Sequence, residues 1–334
     1  MSFSGTQYGD ITPRVGIFAV AKMLDHAQPI LVLEKFAEVQ ALPKNKGQTL
    51  KWRRPVPFDV SPSALTEGVT PVPTIMEYED VSATISQYGG WVGFTDVIQD
   101  THEDPVLKDM TMLVGEQAAS TKEALVWAVI RGGTSVIYSG VATSRVTVTA
   151  TITDDELRLA QRILKANHGK HITKMISASG NIATEPVAPA FLAFGHTNLE
   201  QDLRDIAGFV TREYYASYKP VSDYEIGKFE DIRFILTPQL EPFFGAGSAT
   251  TTGVLSTNSA VDVYPLVIVA QSAYAVTPLQ GMNAVEMGVL NPKMAGSYED
   301  PLGQRGLVSW KMWFVATRLN ETWMTRIETA VSAY

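Results

Sequence analysis

Between residues 43 and 81 the chain carries Pro43, Pro55, Pro57, Pro62, Pro71 and Pro73, six of its 18 prolines. Each proline fixes one backbone angle and lacks the N–H that a helix interior or a central strand would use. A helix through this stretch is therefore excluded, and so is a place in the middle of a sheet. What such a segment can do is run out, turn and come back. Its flanks suit that path, because 49–54 and 78–86 alternate in polarity as half-exposed strands do. The spacing predicts two strands joined by a long protruding excursion. About 30 irregular residues in a compact monomer ask for a function.

Charge is divided along the same segment. Lys44, Lys46, Lys51, Arg53 and Arg54 lie on the outgoing limb, and Glu67, Glu77, Glu79 and Asp80 on the returning one. Five cations within 11 residues, with no acid between them, repel one another inside one subunit. The expectation is that these five line an extended arm and face carboxylates of a neighbouring copy. Glu67, Glu77, Glu79 and Asp80 are acidic candidates, as are Glu103, Asp104 and Asp109 at the start of a helix.

Around this segment the pattern is mixed. Residues 1–42 read as a helical leader, with Thr12 as cap and Pro13 at the first helical position. It has too little apolar surface to fold alone and must lie on something else. The clearest helix spans 104–131. Asp104 caps it, Pro105 opens it, Leu107, Met110, Val114, Ala118, Leu125 and Ala128 form its apolar face, and Gly132 and Gly133 stop it. Its length is about 40 Å. A second helix, 153–167, opens with a Thr153/Glu156 capping box and ends at Gly169. A short third helix runs through Leu199, Leu203 and Ile206 to Gly208. Apolar runs at 91–98, 134–138, 146–152, 191–194, 232–236, 265–269, 306–320 and 323–327 read as strands. Gly245 to Gly253 is a flexible loop rich in Gly and Thr.

Chemistry-bearing signatures are missing. The chain has no cysteine, which removes disulfides, thiolate nucleophiles and Cys-ligated metals. No nucleotide-binding glycine fingerprint, Walker loop or nucleophile elbow occurs. His168 and His171 suit a solvated helix end, and Asp104 beside His102 is better explained as a cap than as a metal ligand. No catalytic residue, cofactor or metal is expected. The N-terminus has neither the basic nor the apolar region of a signal peptide, and no apolar window reaches membrane-spanning length. The formal charge of −8 argues against tight wrapping of nucleic acid. Charged residues make up only 19%, below the usual quarter, and neutral surface favours packing against other subunits.

Several segments, in order along nearly the whole chain, resemble the major capsid proteins of tailed phages typified by coliphage N-four. They are 8–14 (YGDITPR), 33–36 (LEKF), 42–46 (LPKNK), 65–71 (LTEGVTP), 87–89 (QYG), 100–107 (DTHEDPVL), 235–238 (ILTP) and 300–306 (DPLGQRG). The resemblance implies an α+β chain with the Hong Kong 97-like capsid fold. It would comprise an N-terminal arm (1–42), an extended loop with flanking strands (43–90), a peripheral domain (91–174) with the spine helix 104–131, an axial domain (175–302), and strands returning to the peripheral domain (303–334). It further implies a non-enzymatic subunit of the virion, assembled in the host cytoplasm into hexamers and pentamers of an icosahedral shell around double-stranded DNA. The portal protein would be a partner and a decoration protein a further candidate. Because the arm begins near Met1, a separate scaffolding protein is expected. The Gly245–Gly253 loop is expected at capsomer centres, and the packaged DNA is expected to be contacted only weakly. The alternative is a soluble α/β enzyme or ligand-binding protein with an inserted oligomerisation loop.

Overall fold

The computed structural model describes residues 31–58, 60, 64, 67–70, 73–101, 106–176, 184–215, 220–249, 253–279, 285–292 and 300–333. Residues 1–30 of the expected helical leader, Thr12 and Pro13 among them, the Asp104/Pro105 helix start and the residue Glu103 lie outside them. The first half contains β1 (Glu38–Val39), β2 (Thr49–Pro55), β3 (Tyr78–Thr84), β4 (Ser86–Thr95), α1 (Asp96–Thr101), α2 (Val106–Ile130), β5 (Val136–Tyr138) and α3 (Asp154–Ala166). Then follow β6 (Ile172–Ile176), β7 (Thr184–Gly195), α4 (Glu200–Arg204), β8 (Val210–Thr211), β9 (Glu225–Phe229) and β10 (Ile232–Leu236). The last part holds β11 (Ser256–Thr257), β12 (Ala260–Val261), β13 (Tyr264–Val269), β14 (Tyr274–Pro278), β15 (Glu286–Leu290), β16 (Arg305–Arg318) and β17 (Met324–Thr329).

Two sheets organise the chain. The larger has eight strands in the order β5-β17-β13-β7-β10-β9-β8, with β6 paired to β7. Its central strands β10 and β13 are buried at every position, not only at alternate ones, because both faces are covered. Phe191, Ala193, Phe234, Leu266 and Ile268 point to one side, where Leu157, Ala160 and Leu164 of α3 meet them. Leu192, Phe194, Ile235, Val267 and Val269 point to the other side, into the core shared with α2 and Phe36. The side chains thus obey the period of two even though the sequence shows no alternation.

The smaller sheet has five strands, β1-β14-β16-β15 with β4 on the other side of β16. The α2 helix lies against it. Trp310 of β16 donates its indole N–H to Gln117 of α2 at 2.9 Å. β13 and β14 are neighbours in sequence but belong to different sheets, as do β16 and β17. The two crossings bind each other: Ala270 N–H donates to the Trp323 carbonyl and Leu319 N–H to the Ala273 carbonyl, both at 2.9 Å.

Several expectations hold and others need correction. The α3 helix has its capping box, with Glu156 accepting from the Thr153 N–H at 3.0 Å. Its left-handed residue, however, is His168 (φ 55°), one residue before Gly169. No strand forms over 146–152. A single 3-10 turn, Arg145–Thr147, stands there instead, and Arg145 donates two hydrogen bonds to the buried Glu328 of β17. The Gly245 end of the Gly/Thr loop is tied down by Gly245 N–H to Asp262 Oδ1 at 2.7 Å and Gly247 N–H to the Val261 carbonyl at 2.8 Å. The expected division also shifts. β14 and β15, placed in the axial 175–302 region, pair in the smaller sheet, while β5 and β17, placed in the peripheral region, pair in the larger one. Sheet membership comes from long-range pairing, which local polarity patterns do not encode.

Candidate inter-subunit surface

The flanks of the Pro-rich segment form the two strands expected of them. β2 and β3 pair antiparallel with Thr49 opposite Thr84, Lys51 opposite Ser82, Arg53 opposite Asp80 and Arg54 opposite Glu79. They make a two-stranded sheet of their own. Such a ribbon is marginal in water without further packing. Its two faces differ. One carries Thr49, Lys51, Arg53, Asp80, Ser82 and Thr84, all exposed. The other carries Leu50, Trp52 and Val81, half-buried, and Ala83, buried.

The charged residues largely answer one another within the ribbon. Arg53 holds Asp80 through two hydrogen bonds, at 2.7 and 3.0 Å. Arg54 reaches Glu79 at 2.8 and 2.5 Å. The Arg53 hydrogen bonds hold the Asp80 carboxyl below the usual aspartate range, against desolvation and with the aid of the charges of Arg53 and Lys51. The sequence predicted partners on a neighbouring copy for these four residues. The register supplies partners inside the chain, because β2 and β3 run antiparallel and bring the basic limb against the acidic one. Lys44, Lys46, Lys51, Glu67 and Glu77 are exposed and make no ion pair among the described residues.

Beyond Pro55 the ribbon continues with Val56 N–H donating to the Glu77 carbonyl at 2.9 Å. Here the surface turns apolar. Val60 is 92% and Ile75 80% exposed, and Val56, Phe58, Val69 and Met76 are exposed as well. Exposed ion pairs contribute little because water and salt screen them, whereas burying one large apolar side chain contributes about 1.5–3 kcal/mol. The tip is therefore the stronger candidate for a contact surface than the basic limb. Charge clustering in the sequence pointed elsewhere, although Val60 and Val69 stand between the prolines and Ile75 and Met76 just after Pro73.

Two open hollows lie on the smaller sheet and its helix. One, about 590 Å³, is lined by Gln87, Trp91, Leu307 and Lys311, with Trp91 61% exposed. The other, about 720 Å³, lies between α2 and β15 and is lined by Val106, Leu107, Met112 and Met287. Among the described residues, neither hollow brings a nucleophile and a base together, and no group of three His, Asp or Glu could hold a metal.

The sequence also passed over two buried charges on α2. The residues at 106, 110, 114, 118, 122, 126 and 130 form a strict four-residue series, and all are buried. The expected face ran instead through Leu125 and Ala128. Following the series at four puts Lys122 in the core, 4% exposed, and its neighbour Glu123 is 1% exposed. Both face the strap Val32–Phe36.

Comparison with known proteins decides what this architecture is. The phage capsid protein family matches residues 78–327, from β3 through both sheets into β17. This chain belongs to the phage capsid protein family. A major capsid protein of Pseudomonas phage KPP21 is 25% identical over 266 residues, 73% of this chain, and the matched part spans 66% of that relative's length. Among solved structures, the capsid of Ralstonia phage GP4 superposes with a TM-score of 0.65 at 12% identity, covering 96% of this chain and 99% of that one. The capsid of cyanophage Pam1 gives 0.64 at 12% identity, covering both chains completely at 100%. The capsid of cyanophage P-SCSP1u gives 0.60 at 15% identity, covering 95% and 94%. At such identities the likeness establishes the fold, a mixed α+β capsid fold. The α2 helix, the two sheets and the projection are thus features of a phage capsid protein.

Proposed function

We propose that this capsid-family chain is the major capsid protein of a tailed phage, of the coliphage N-four type and with the Hong Kong 97-like fold. Copies would close into an icosahedral shell of hexamers and pentamers around double-stranded DNA, and the subunit would carry out no catalysis. The observation that supports this best is the family match over 78–327, which takes in α2 and both sheets. The enzyme alternative receives no support from the comparisons.

In this reading α2 is the spine helix and the β2–β3 projection is the extended loop. Its apolar tip lies on the smaller sheet of a neighbouring copy, where the hollows at Trp91 and Met287 offer apolar walls. Lys44, Lys46, Lys51, Glu67 and Glu77 then meet charges of that neighbour at the rim. The Gly245–Gly253 segment belongs at capsomer centres, where two ring sizes require adaptable backbone. A separate scaffolding protein and a portal protein are proposed partners, with a decoration protein outside. The acidic chain would touch the packaged genome only weakly.

The test is size. Expressed with its scaffolding protein, the chain should elute in the megadalton range and give closed shells in electron micrographs. A monomer or small oligomer under those conditions contradicts the reading.

A further inference from the structure

The strap Val32–Phe36 crosses α2 at its two buried charges. Glu123 accepts hydrogen bonds at Oε1 from the N–H groups of Val32 (3.3 Å) and Leu33 (3.0 Å). Its Oε2 is buried and has no hydrogen-bond partner among the described residues. Lys122 places its Nζ 2.7 and 2.6 Å from the two carboxylate oxygens of Glu34 on the strap, and 5.2 Å from the Phe314 ring centre. From β14, the Tyr274 hydroxyl donates to the Leu33 carbonyl at 2.6 Å. Among the described residues, the titratable and charged groups around Glu123 are Glu34 from the strap, Lys122 from its own helix and Tyr274 from the sheet.

Two carboxyl groups share one cation here. With both ionised, the buried cluster holds a net charge of −1, which is costly in a low-dielectric setting. With Glu123 neutral, the cluster sums to zero and Oε1 still accepts both backbone N–H groups. Burial, the largest influence, raises the Glu123 carboxyl to about 7. The two N–H groups pull it back, Glu34 adds to the rise and Lys122 opposes it.

We propose that Glu123, Lys122 and Glu34 form a proton-sensitive clasp that grips the Val32–Phe36 strap when Glu123 is protonated and loosens when Glu123 ionises. A carboxyl raised in the closed state binds its proton more tightly there than when the strap is released. The grip is therefore full below the ordinary glutamate range and weakens as pH rises from that range to about 7, above which it levels off. The strap leads directly into β1, which pairs with β14. The clasp thus sets how readily the Val32–Phe36 strap parts from α2 in acid and at neutral pH. It is a property of one subunit and does not depend on the shell reading.

Amide hydrogen exchange on the purified full-length subunit tests it. After correction for the intrinsic pH dependence of exchange, protection of the Val32 and Leu33 amides should fall at least about tenfold between pH 5 and pH 8, since each unit of pKa difference is a factor of ten. Glu123→Gln keeps a carbonyl for both N–H groups and should abolish the fall. Glu34→Gln should shrink it and move it to lower pH. Unchanged wild-type protection, or a wild-type fall retained in Glu123→Gln, overturns the proposal. If Glu123→Gln does not fold, infrared difference spectra of the wild type decide. A protonated-carboxyl band that disappears between pH 5 and pH 8, at lower pH in Glu34→Gln, supports the clasp. The lack of such a band refutes it.

Discussion

The β2–β3 projection and the strap over α2 both join cations to carboxylates at closely similar distances, 2.7 Å for Arg53–Asp80 and 2.6 Å for Lys122–Glu34. Their surroundings differ. The Arg53 side chain is 62% exposed and the Lys122 side chain 5%. On the projection, water already solvates each charge, so the pair adds little and its loss costs little. Under the strap, solvation has been given up, so either charge left alone is expensive although the pair itself gains little over an apolar replacement. Distance does not rank ion pairs in this chain; exposure does.

The largest effect is expected at Lys122. Lys122→Ala leaves Glu34 and Glu123 as two carboxyls without a buried cation. Removing one partner of a buried pair costs about 3–5 kcal/mol, and the partial exposure of Glu34 places this case near 3. The urea midpoint of the subunit should fall accordingly. The double change Lys122→Met with Glu34→Gln should recover much of that loss, since it removes the charge from both sides. An unchanged midpoint in Lys122→Ala would mean that water reaches the strap after all.

Next comes the tip of the projection. Phe58→Asp with Ile75→Asp touches side chains that are exposed in the subunit. Its unfolding should stay as in the wild type. If a neighbouring copy covers the tip, each change forfeits about 1.5–3 kcal/mol of burial per contact, and shells should fail to form. Full shell yield from this pair would show that the tip stays in solvent and would return attention to the charges.

Much of this was legible in the sequence and some was not, for separable reasons. Prolines exclude structures outright, so the excursion between β2 and β3 could be read from Pro43 to Pro73. Capping chemistry is local, so α3 could be read from Thr153 and Glu156. The pairing of Arg53 with Asp80 was not read, because register is a relation between two strands even when both strands are foreseen. The buried charges on α2 escaped because a lysine and a glutamate on a helix are ordinarily solvated. Only the four-residue series from Val106 to Ile130 hints that Lys122 turns inward, and only the strap, far away in sequence, supplies its partner. The exchange of β14 and β17 between sheets has no local signature at all.

A smaller effect is expected from reversing the arginines. Arg53→Glu with Arg54→Glu sets like charges opposite Asp80 and Glu79 in the β2–β3 register. The ribbon should splay, the rest of the subunit should stay folded, and shell yield should fall modestly. Adding Asp80→Arg and Glu79→Arg restores opposite charges with the strands exchanged. If the pairs serve the ribbon itself, the fourfold variant should assemble as the wild type does. If the arginines serve a neighbour's carboxylates, it should assemble no better than the double reversal. Sedimentation of the assembled fraction reads the difference.

The smallest effect is one of pH, and its sign is opposite to that of the clasp. Asp80 is held below the ordinary aspartate range, chiefly by the Arg53 hydrogen bonds. A carboxyl lowered in the folded state supports that state above its unfolded pKa and loses the support as pH falls through the folded value. The ribbon should therefore be indifferent to pH from neutral down to the ordinary aspartate pKa of about 3.9, and should loosen only below it. Between pH 5 and pH 8 the β2–β3 amides should keep constant protection while the Val32 and Leu33 amides lose theirs. Raised salt should weaken the ribbon pairs and leave the buried strap pair nearly untouched, because screening reaches only solvent-exposed charges. Exchange measured over both segments in one experiment separates the two. A ribbon that loosens between pH 8 and pH 5 would show that Asp80 takes up its proton at higher pH than its contact with Arg53 allows, and that the exposed pair is not formed in solution.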